Sequence, residues 1–290
     1  MRARLFDLFG KARITPLWEF TANGFLWHIR TADPEILVGE ERDPETKKVT
    51  FFCIGRKDGR VIWRQGEFGD QWWIGIAEVF EDTLLLHGFS SPDMPIHQGI
   101  IAVELLTGRK KWERLDLVLL GVRGEHLVGS MATPAGEKCY EVSLTNGLSL
   151  GVVDRSLIEV FPVLEDDIEF PELFEESSSK DPAGTGRLAA YIVENSFEGP
   201  VNVLTRRGRI MLSVHERRVD SSPDNPRYQH LLLIVDTGLG RTILKRVLDS
   251  DTPRFVPDPF FVFRETLFCI RERRTLMALP IGDSRDSLPA

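Results

Sequence analysis

Two stretches decide the fold: VTFFCIGRKDGRVIWRQ (Val49–Gln65) and GIIAVELLTGRKKWER (Gly99–Arg114). Each is one phrase, a short apolar strand, a polar turn holding Gly, then a strand carrying Trp. Asp58-Gly59 and Thr107-Gly108 sit between β-rich runs, where Gly can take the positive φ that a tight hairpin demands. A third copy, KCYEVSLTNGLSLGVV (Lys138–Val153), keeps the hairpin signal Asn146-Gly147 and lacks the Trp.

Two further strand candidates precede each hairpin, so three units of four strands can be written. The first holds GFLWHIR, EILVGEERD, VTFFCI and GRVIWRQ; the second WWIGIAEVF, TLLLHGF, GIIAVEL and GRKKWER; the third LDLVLLGV, EHLVGSM, KCYEVSL and GLSLGVV. Gly24 to Asp154 divides into about 44 residues per unit, the period of a four-stranded propeller blade. Apolar residues alternate or run in short blocks, which excludes a helical period. Beyond Asp154 the hairpins are degenerate: VNVLTRRGRIMLSVHER around Gly208, HLLLIVDTGLGRTILKR around Gly240, and TLFCIRERRTLMALP with a turn that lacks Gly. The expectation is an all-β chain, one β-propeller domain over residues 1–290 with about six four-stranded blades, five to seven being allowed. PLWEF ends in the same Trp-bearing form as the strands after Gly59 and Gly108. Leu17 to Phe20 is therefore expected to pair with the blade containing Thr266 to Leu279, closing the ring through the N- and C-terminal strands.

IIAVELLTGRKKW (Ile100–Trp112) resembles the repeat of the quinoprotein-like (PQQ-type) propellers, which is similar in turn to the outer-membrane assembly lipoprotein propellers. ANGFLWHIR, LVGEERD, VTFFCI, WWIGI and HGFSSPDMP resemble an uncharacterised bacterial family known only as a domain of unknown function. What the resemblance implies is a fold, with no activity attached.

Composition narrows the function. Hydrophobic residues make up 42% and charged residues 28%, which is ordinary for a globular chain. The net charge of -8 is concentrated between Glu165 and Asp181, where eight acids face Lys180 alone. No basic face remains for nucleic acid or anionic lipid. The region from about 164 to 187, with Ser177, Ser178 and Ser179, reads as a flexible acidic insertion; it is either solvated loop or a docking site for a basic protein partner. No apolar run of signal-peptide or membrane-spanning length occurs. Cys53, Cys139 and Cys269 are odd in number and embedded in apolar runs, which fits a reducing cytoplasm better than a disulfide framework or zinc site.

The most unusual loop is LLLHGFSSPDMPIHQGI, which gathers His87, Asp93 and His97 around a tight turn. Two imidazoles and a carboxylate could hold a ligand, bind a divalent metal or run acid–base chemistry. Alternatively Asp93 caps the turn and the histidines finish strands. GEERD (Gly39–Asp43) places Glu41 and Arg42 at a strand end, for a charged ligand or for a salt bridge between blades. Trp72 and Trp73 read either as inter-blade packing or as a stacking platform. TGLGRT (Thr237–Thr242) and AGTGR (Ala183–Arg187) match neither a phosphate-binding loop nor a dinucleotide fingerprint, and no GxSxG or HExxH occurs. The expectation is a non-catalytic scaffold for protein interaction or ligand sensing, with His87, Asp93, His97, Glu41 and Arg42 as candidate ligand-binding residues. No catalytic residue, metal or cofactor is expected. The rival is a metal-assisted or cofactor-dependent enzyme built on the His87–Asp93–His97 loop.

Overall fold

The structure, a computed structural model, describes residues 14–69, 72–91, 94–161, 168–174, 182–237, 241–257 and 259–281. A short strand, β1 (Trp18–Thr21), comes first, followed by three antiparallel sheets of four strands each. The first sheet contains β2 (Phe25–Asp33), β3 (Ile36–Asp43), β4 (Lys48–Gly55) and β5 (Val61–Gln65). The second contains β6 (Ile74–Phe80), β7 (Thr83–Ser91), β8 (Met94–Glu104) and β9 (Lys110–Arg114). The third contains β10 (Val118–Arg123), β11 (His126–Thr133), β12 (Gly136–Val142) and β13 (Ser149–Val153). Spatial order equals chain order in all three, so each is a simple meander, and the three repeat units read from the sequence are these sheets.

Why the strands read as apolar runs rather than clean alternations is visible in β7. Leu84, Leu85 and Leu86 are all fully buried. Leu84 and Leu86 pack with Val38, Phe51 and Cys53 of the first sheet, whereas Leu85 joins Leu117, Leu127 and Val142 of the third. A sheet covered on both faces needs apolar residues at consecutive positions.

The repeated Trp and Gly meet across sheets. Trp63 on β5 donates its indole N–H to the Leu105 carbonyl at 2.7 Å, and Trp112 on β9 donates to the Leu144 carbonyl at 2.8 Å. Each indole lies on the turn glycine of the following sheet, where a Cβ would stand 2.7 Å from Trp63 at Gly108 and 2.8 Å from Trp112 at Gly147. These glycines have φ of 70° and 73°, so a side chain there is refused by backbone sterics and by the ring above it. Two residues beyond each Trp the contact repeats: Gln65 donates to the Gly108 carbonyl, and Arg114 Nη1 to the Gly147 carbonyl at 3.0 Å. In the third sheet Gly151 occupies the position that Trp63 and Trp112 hold, four residues after the turn glycine.

The remaining strands are β14 (Ile168–Glu169), β15 (Glu172–Leu173), β16 (Asn202–Arg206), β17 (Arg209–Arg217), β18 (Tyr228–Asp236), β19 (Arg241–Thr252), β20 (Phe260–Phe263), β21 (Thr266–Arg271) and β22 (Thr275–Pro280), with one helix, α1 (Pro182–Glu194). They form two five-stranded sheets, ordered β15-β16-β17-β18-β19 and β1-β22-β21-β20-β14. The hairpins around Gly208 and Gly240 therefore share one sheet: β17 and β18 pair over their whole length, from Arg209↔Asp236 to Arg217↔Tyr228. The described residues form five sheets, against the expected count of about six. The turn lacking Gly works by strain, holding Glu272 and Arg273 at φ of 49° and 56°. Leu17 donates to the Ala278 carbonyl at 2.8 Å and Trp18 faces Ala278, so the N-terminal strand pairs with the C-terminal one as expected.

Part of the segment 164–187 is ordered structure rather than loop. β14 edges β20, β15 edges β16, and α1 begins at Pro182. Leu188, Tyr191 and Ile192 of α1 pack on Leu212, Val214 and Leu231. Most of the acidic run lies outside the described residues. Contacts divide the chain into two compact units, residues 22–166 and residues 1–21 with 167–290. Among the described residues no helix is long and apolar enough to cross a membrane.

Truncating Trp63 to Ala is expected to cost about 3–5 kcal/mol, the range for large aromatics in cores, whereas Trp27→Ala on the surface should stay within about 0.5 kcal/mol. Urea midpoints of the two variants check this. Cys53, Cys139 and Cys269 are buried and reduced, with burial raising the Cys53 and Cys269 thiols to about 12. A disulfide-exchange reagent should label none of the three until denaturant unfolds the chain.

Candidate functional site

β6 is the outer strand of its sheet, and its outward-facing backbone groups need partners. Side chains of β3 supply them. Glu40 Oε2 accepts the Ile76 N–H at 2.9 Å, while Arg42 donates to the carbonyls of Trp72 at 2.9 Å and Ile74 at 2.6 Å. Arg42 Nε also donates to Glu40 Oε1 at 3.1 Å, so acid and base form one buried bridge along the strand edge. Residues two apart on a strand share a face, which is why Glu40 and Arg42 act together. Burial raises the Glu40 carboxyl above its ordinary range, and Arg42 with the Ile76 amide works against that rise.

Aromatic rings surround the bridge. The Arg42 guanidinium lies 5.7 Å from the Trp27 ring centroid and 5.4 Å from that of Trp72, and Lys47 Nζ stands 4.8 Å from Trp72. The register of β2 against β3 slips between Leu26 and His28. Trp27 is the extra residue of that bulge, turned outward and 63% exposed.

On β7 and β8, His87 stacks on His97 with centroids 3.6 Å apart, and Phe89 meets both rings edge-on. Trp73 closes the row at 6.2 Å from Phe89. His87 Nδ1 lies 3.0 Å from the Gly88 carbonyl. A carbonyl only accepts, so Nδ1 carries the proton and Nε2 offers a lone pair. Burial lowers the His87 pKa, helped by His97 and Arg42, and burial with Arg30, His87 and Arg42 pushes His28 down to about 4. Gly75 faces His87 across the β6–β7 ladder. A Cβ there would stand 3.3 Å from Glu40 Oε2, 3.5 Å from Arg42 Nη2 and 3.5 Å from His87 Nε2. The absence of a side chain at Gly75 lets these three polar groups close over the strand.

Of the residues singled out by sequence, the fold brings His87, His97 and Arg42 into one cluster. Glu41 points to the opposite face, where its carboxylate takes the Asn23 amide at 2.9 Å and the Arg64 guanidinium. Asp93 lies outside the described residues. Sequence reasoning missed Glu40, which two-residue alternation from Arg42 would have found, and also His28 and Trp27, which carry no motif. Trp72 packs partly into the core, as the inter-blade reading expects, while Trp73 reaches the surface. Among the described residues no three of His, Cys, Asp and Glu converge on a metal position.

A second cluster lies in the other unit. Ser213 Oγ is 2.9 Å from His230 Nε2, and His230 Nδ1 is 3.1 Å from Asp249 Oδ2. The order is that of a hydrolytic triad, yet Ser213 is 0% and His230 1% exposed. In this packing the hydroxyl meets no substrate; the chain of hydrogen bonds ties β17, β18 and β19 together. His215 stacks on His230 at 4.8 Å, and its Nε2 accepts the Val256 N–H at 3.1 Å. Burial, with His230 beside it, pushes His215 down to about 4.

A family model described as "Domain of unknown function (DUF4905)" matches residues 31–112, the segment holding Glu40, Arg42, Gly75, His87 and His97. No curated protein matches the chain. Similar solved structures include an uncharacterized protein of Listeria monocytogenes EGD-e, at 8% identity and a TM-score of 0.32, covering 88% of this chain and 94% of that one. The β-propeller domain of the Trilobed protease from Pyrococcus furiosus follows at 9% identity and 0.28, covering 86% and 64%. The Dos1 propeller matches at 10% identity and 0.32, covering 88% and 59%. Against a structure reported for two prolyl endopeptidases the chain covers only 27% of the other's length. Likeness at this level assigns no activity.

His215 is neutral in the fold, whereas in the unfolded chain it titrates near its ordinary 6.5. Its contribution is complete above that value and is lost as pH falls toward 4, because the unfolded state binds the proton first. Between pH 7.5 and 5.0 the expected loss is about 2 kcal/mol from this residue. Urea melts at the two pH values check it, and His215→Gln should flatten the slope.

Proposed function

We propose that the chain is a non-catalytic β-propeller module that holds a ligand or a protein partner on the face formed by Trp27, Arg42, Trp73, His87 and His97. In this reading the five sheets are five blades and β1 completes the last of them. Three features support the ring: the meander order of the first three sheets, the indole-on-glycine contact that repeats between them, and the place of Trp18 on β1. Trp18 faces Ala278 as Trp112 faces Ala102 and Trp63 faces Cys53. The three buried thiols suit a reducing compartment.

The observation that carries the binding role is the exposure of Trp27 beside Arg42 and of Trp73 at the end of the ring row with Phe89, His87 and His97. Trp27 and Trp73 are 63% and 36% exposed, beside an ion pair already held on rigid strands. Large aromatics placed at the surface next to committed polar groups are the usual signature of recognition. Neutral His87 and a carboxylate raised by burial are also what acid–base chemistry employs, so turnover is the competing outcome.

The test follows the six indole N–H signals by nitrogen-15 NMR while adding neutral oligosaccharides, sodium benzoate and short peptides in turn. Binding at this face should move the Trp27 and Trp73 signals and leave Trp63 and Trp112 in place. Absence of any shift with all three classes, or a substrate turnover abolished by His87→Ala, would overturn the proposal.

A further inference from the structure

We propose that residues 253–257 form a strap over the ends of β17 and β18 that acid releases, with the His215 imidazole as its catch. The strap lies in the unit of residues 1–21 and 167–290. It stands whether or not the face around Trp27 holds a ligand.

The sequence PRFVP keeps this stretch out of a ladder, because Pro253 and Pro257 bring no N–H to pair. Val256 instead donates its N–H to His215 Nε2 at 3.1 Å. Among the described residues that is the one hydrogen bond joining the strap to β17 or β18, since those between Thr252 and Arg254 are local. One residue earlier, the Phe255 ring sits 5.1 Å from His215 and 4.8 Å from Tyr228, centroid to centroid, and covers Gly199 so closely that a Cβ there would strike it. Apolar packing and a single bond therefore hold the segment down. Beneath it His215 is fully buried, although Phe255 itself is 37% exposed.

The catch works in one protonation state. While Nε2 accepts from Val256, Nδ1 must carry the ring proton, and Nδ1 is buried without a hydrogen-bond partner among the described residues. A second proton has to go on Nε2, turning the acceptor into a donor aimed at the Val256 N–H. The titratable groups around the ring are Tyr228 and His230 on β18, with Asp249 on β19 behind His230. On its own strand Arg217 pairs with Glu198, and on the strap Arg254 is exposed. Burial and His230 disfavour the imidazolium while Asp249 favours it, which leaves the closed ring titrating at about 4. With the strap lifted the ring meets water and returns toward its ordinary 6.5. The open form binds the proton first, so opening is favoured as pH falls from 6.5 to about 4.

Hydrogen-exchange NMR on the full chain reads the catch at the Val256 amide. Its protection factor should fall about 30-fold between pH 7.5 and 5.0. Low urea should leave it unchanged, because a local opening exposes little new surface, whereas the Leu232 amide in the middle of β18 opens with the whole unit and should respond. His215→Gln offers an acceptor and takes up no proton, so Val256 protection should hold level across the range. Phe255→Leu, which loosens the strap and leaves the imidazole in place, should lower that protection at pH 7.5 and keep the same fall to pH 5.0; it serves as the deciding variant if His215→Gln does not fold. A fall of less than about fivefold in the unaltered chain or in Phe255→Leu, an equal fall in His215→Gln, or a Val256 rate that follows urea as Leu232 does would each overturn the acid-released strap.

Discussion

An indole lying on a left-handed glycine of the next sheet is the contact on which the N-terminal architecture depends. Trp63 on Gly108 and Trp112 on Gly147 each combine an indole hydrogen bond to a turn carbonyl with ring packing that tolerates no Cβ beneath it. Two constraints meet at one residue, since the turn needs positive φ and the ring needs an empty face. This contact helps to fix how neighbouring sheets register on one another, and the neighbouring Gln65 and Arg114 bonds to the glycine carbonyls repeat it.

With the first two sheets held in register, β3 lies against the open edge of β6. The Glu40–Arg42 bridge then substitutes for a missing strand, satisfying the Ile76 amide and the carbonyls of Trp72 and Ile74. Burying an ion pair gains little by itself. What it secures here is position, because it ties β3 to the edge of β6.

Much of the fold can be read from residues. The Trp-and-Gly phrase located three sheets and all twelve of their strands, and the same phrase in PLWEF identified the strand that pairs with β22. The second half was harder for a physical reason. Its hairpins lack the Trp marker and one of the three lacks Gly in its turn, while a nine-residue β17–β18 ladder merges the other two into one sheet, a pairing that local sequence does not encode. At the site, His87 and Arg42 were legible as chemistry-bearing residues at strand ends. Glu41 was the wrong neighbour, because period-two alternation sends it to Arg64 on the other face while Glu40 stays with Arg42. Trp27 owes its exposure to a bulge with no signature, and the Ser213–His230–Asp249 chain arises only when three strands align.

The docking of Trp112 on Gly147 is open to a double-mutant cycle, with stabilities measured by urea unfolding for Trp112→Ala, Gly147→Ala and the pair. If the ring rests on the glycine, removing it relieves the clash that a methyl introduces, and the double variant should be more stable than the sum of the single losses by about 1 kcal/mol or more. Losses that add within about 0.5 kcal/mol would contradict the account.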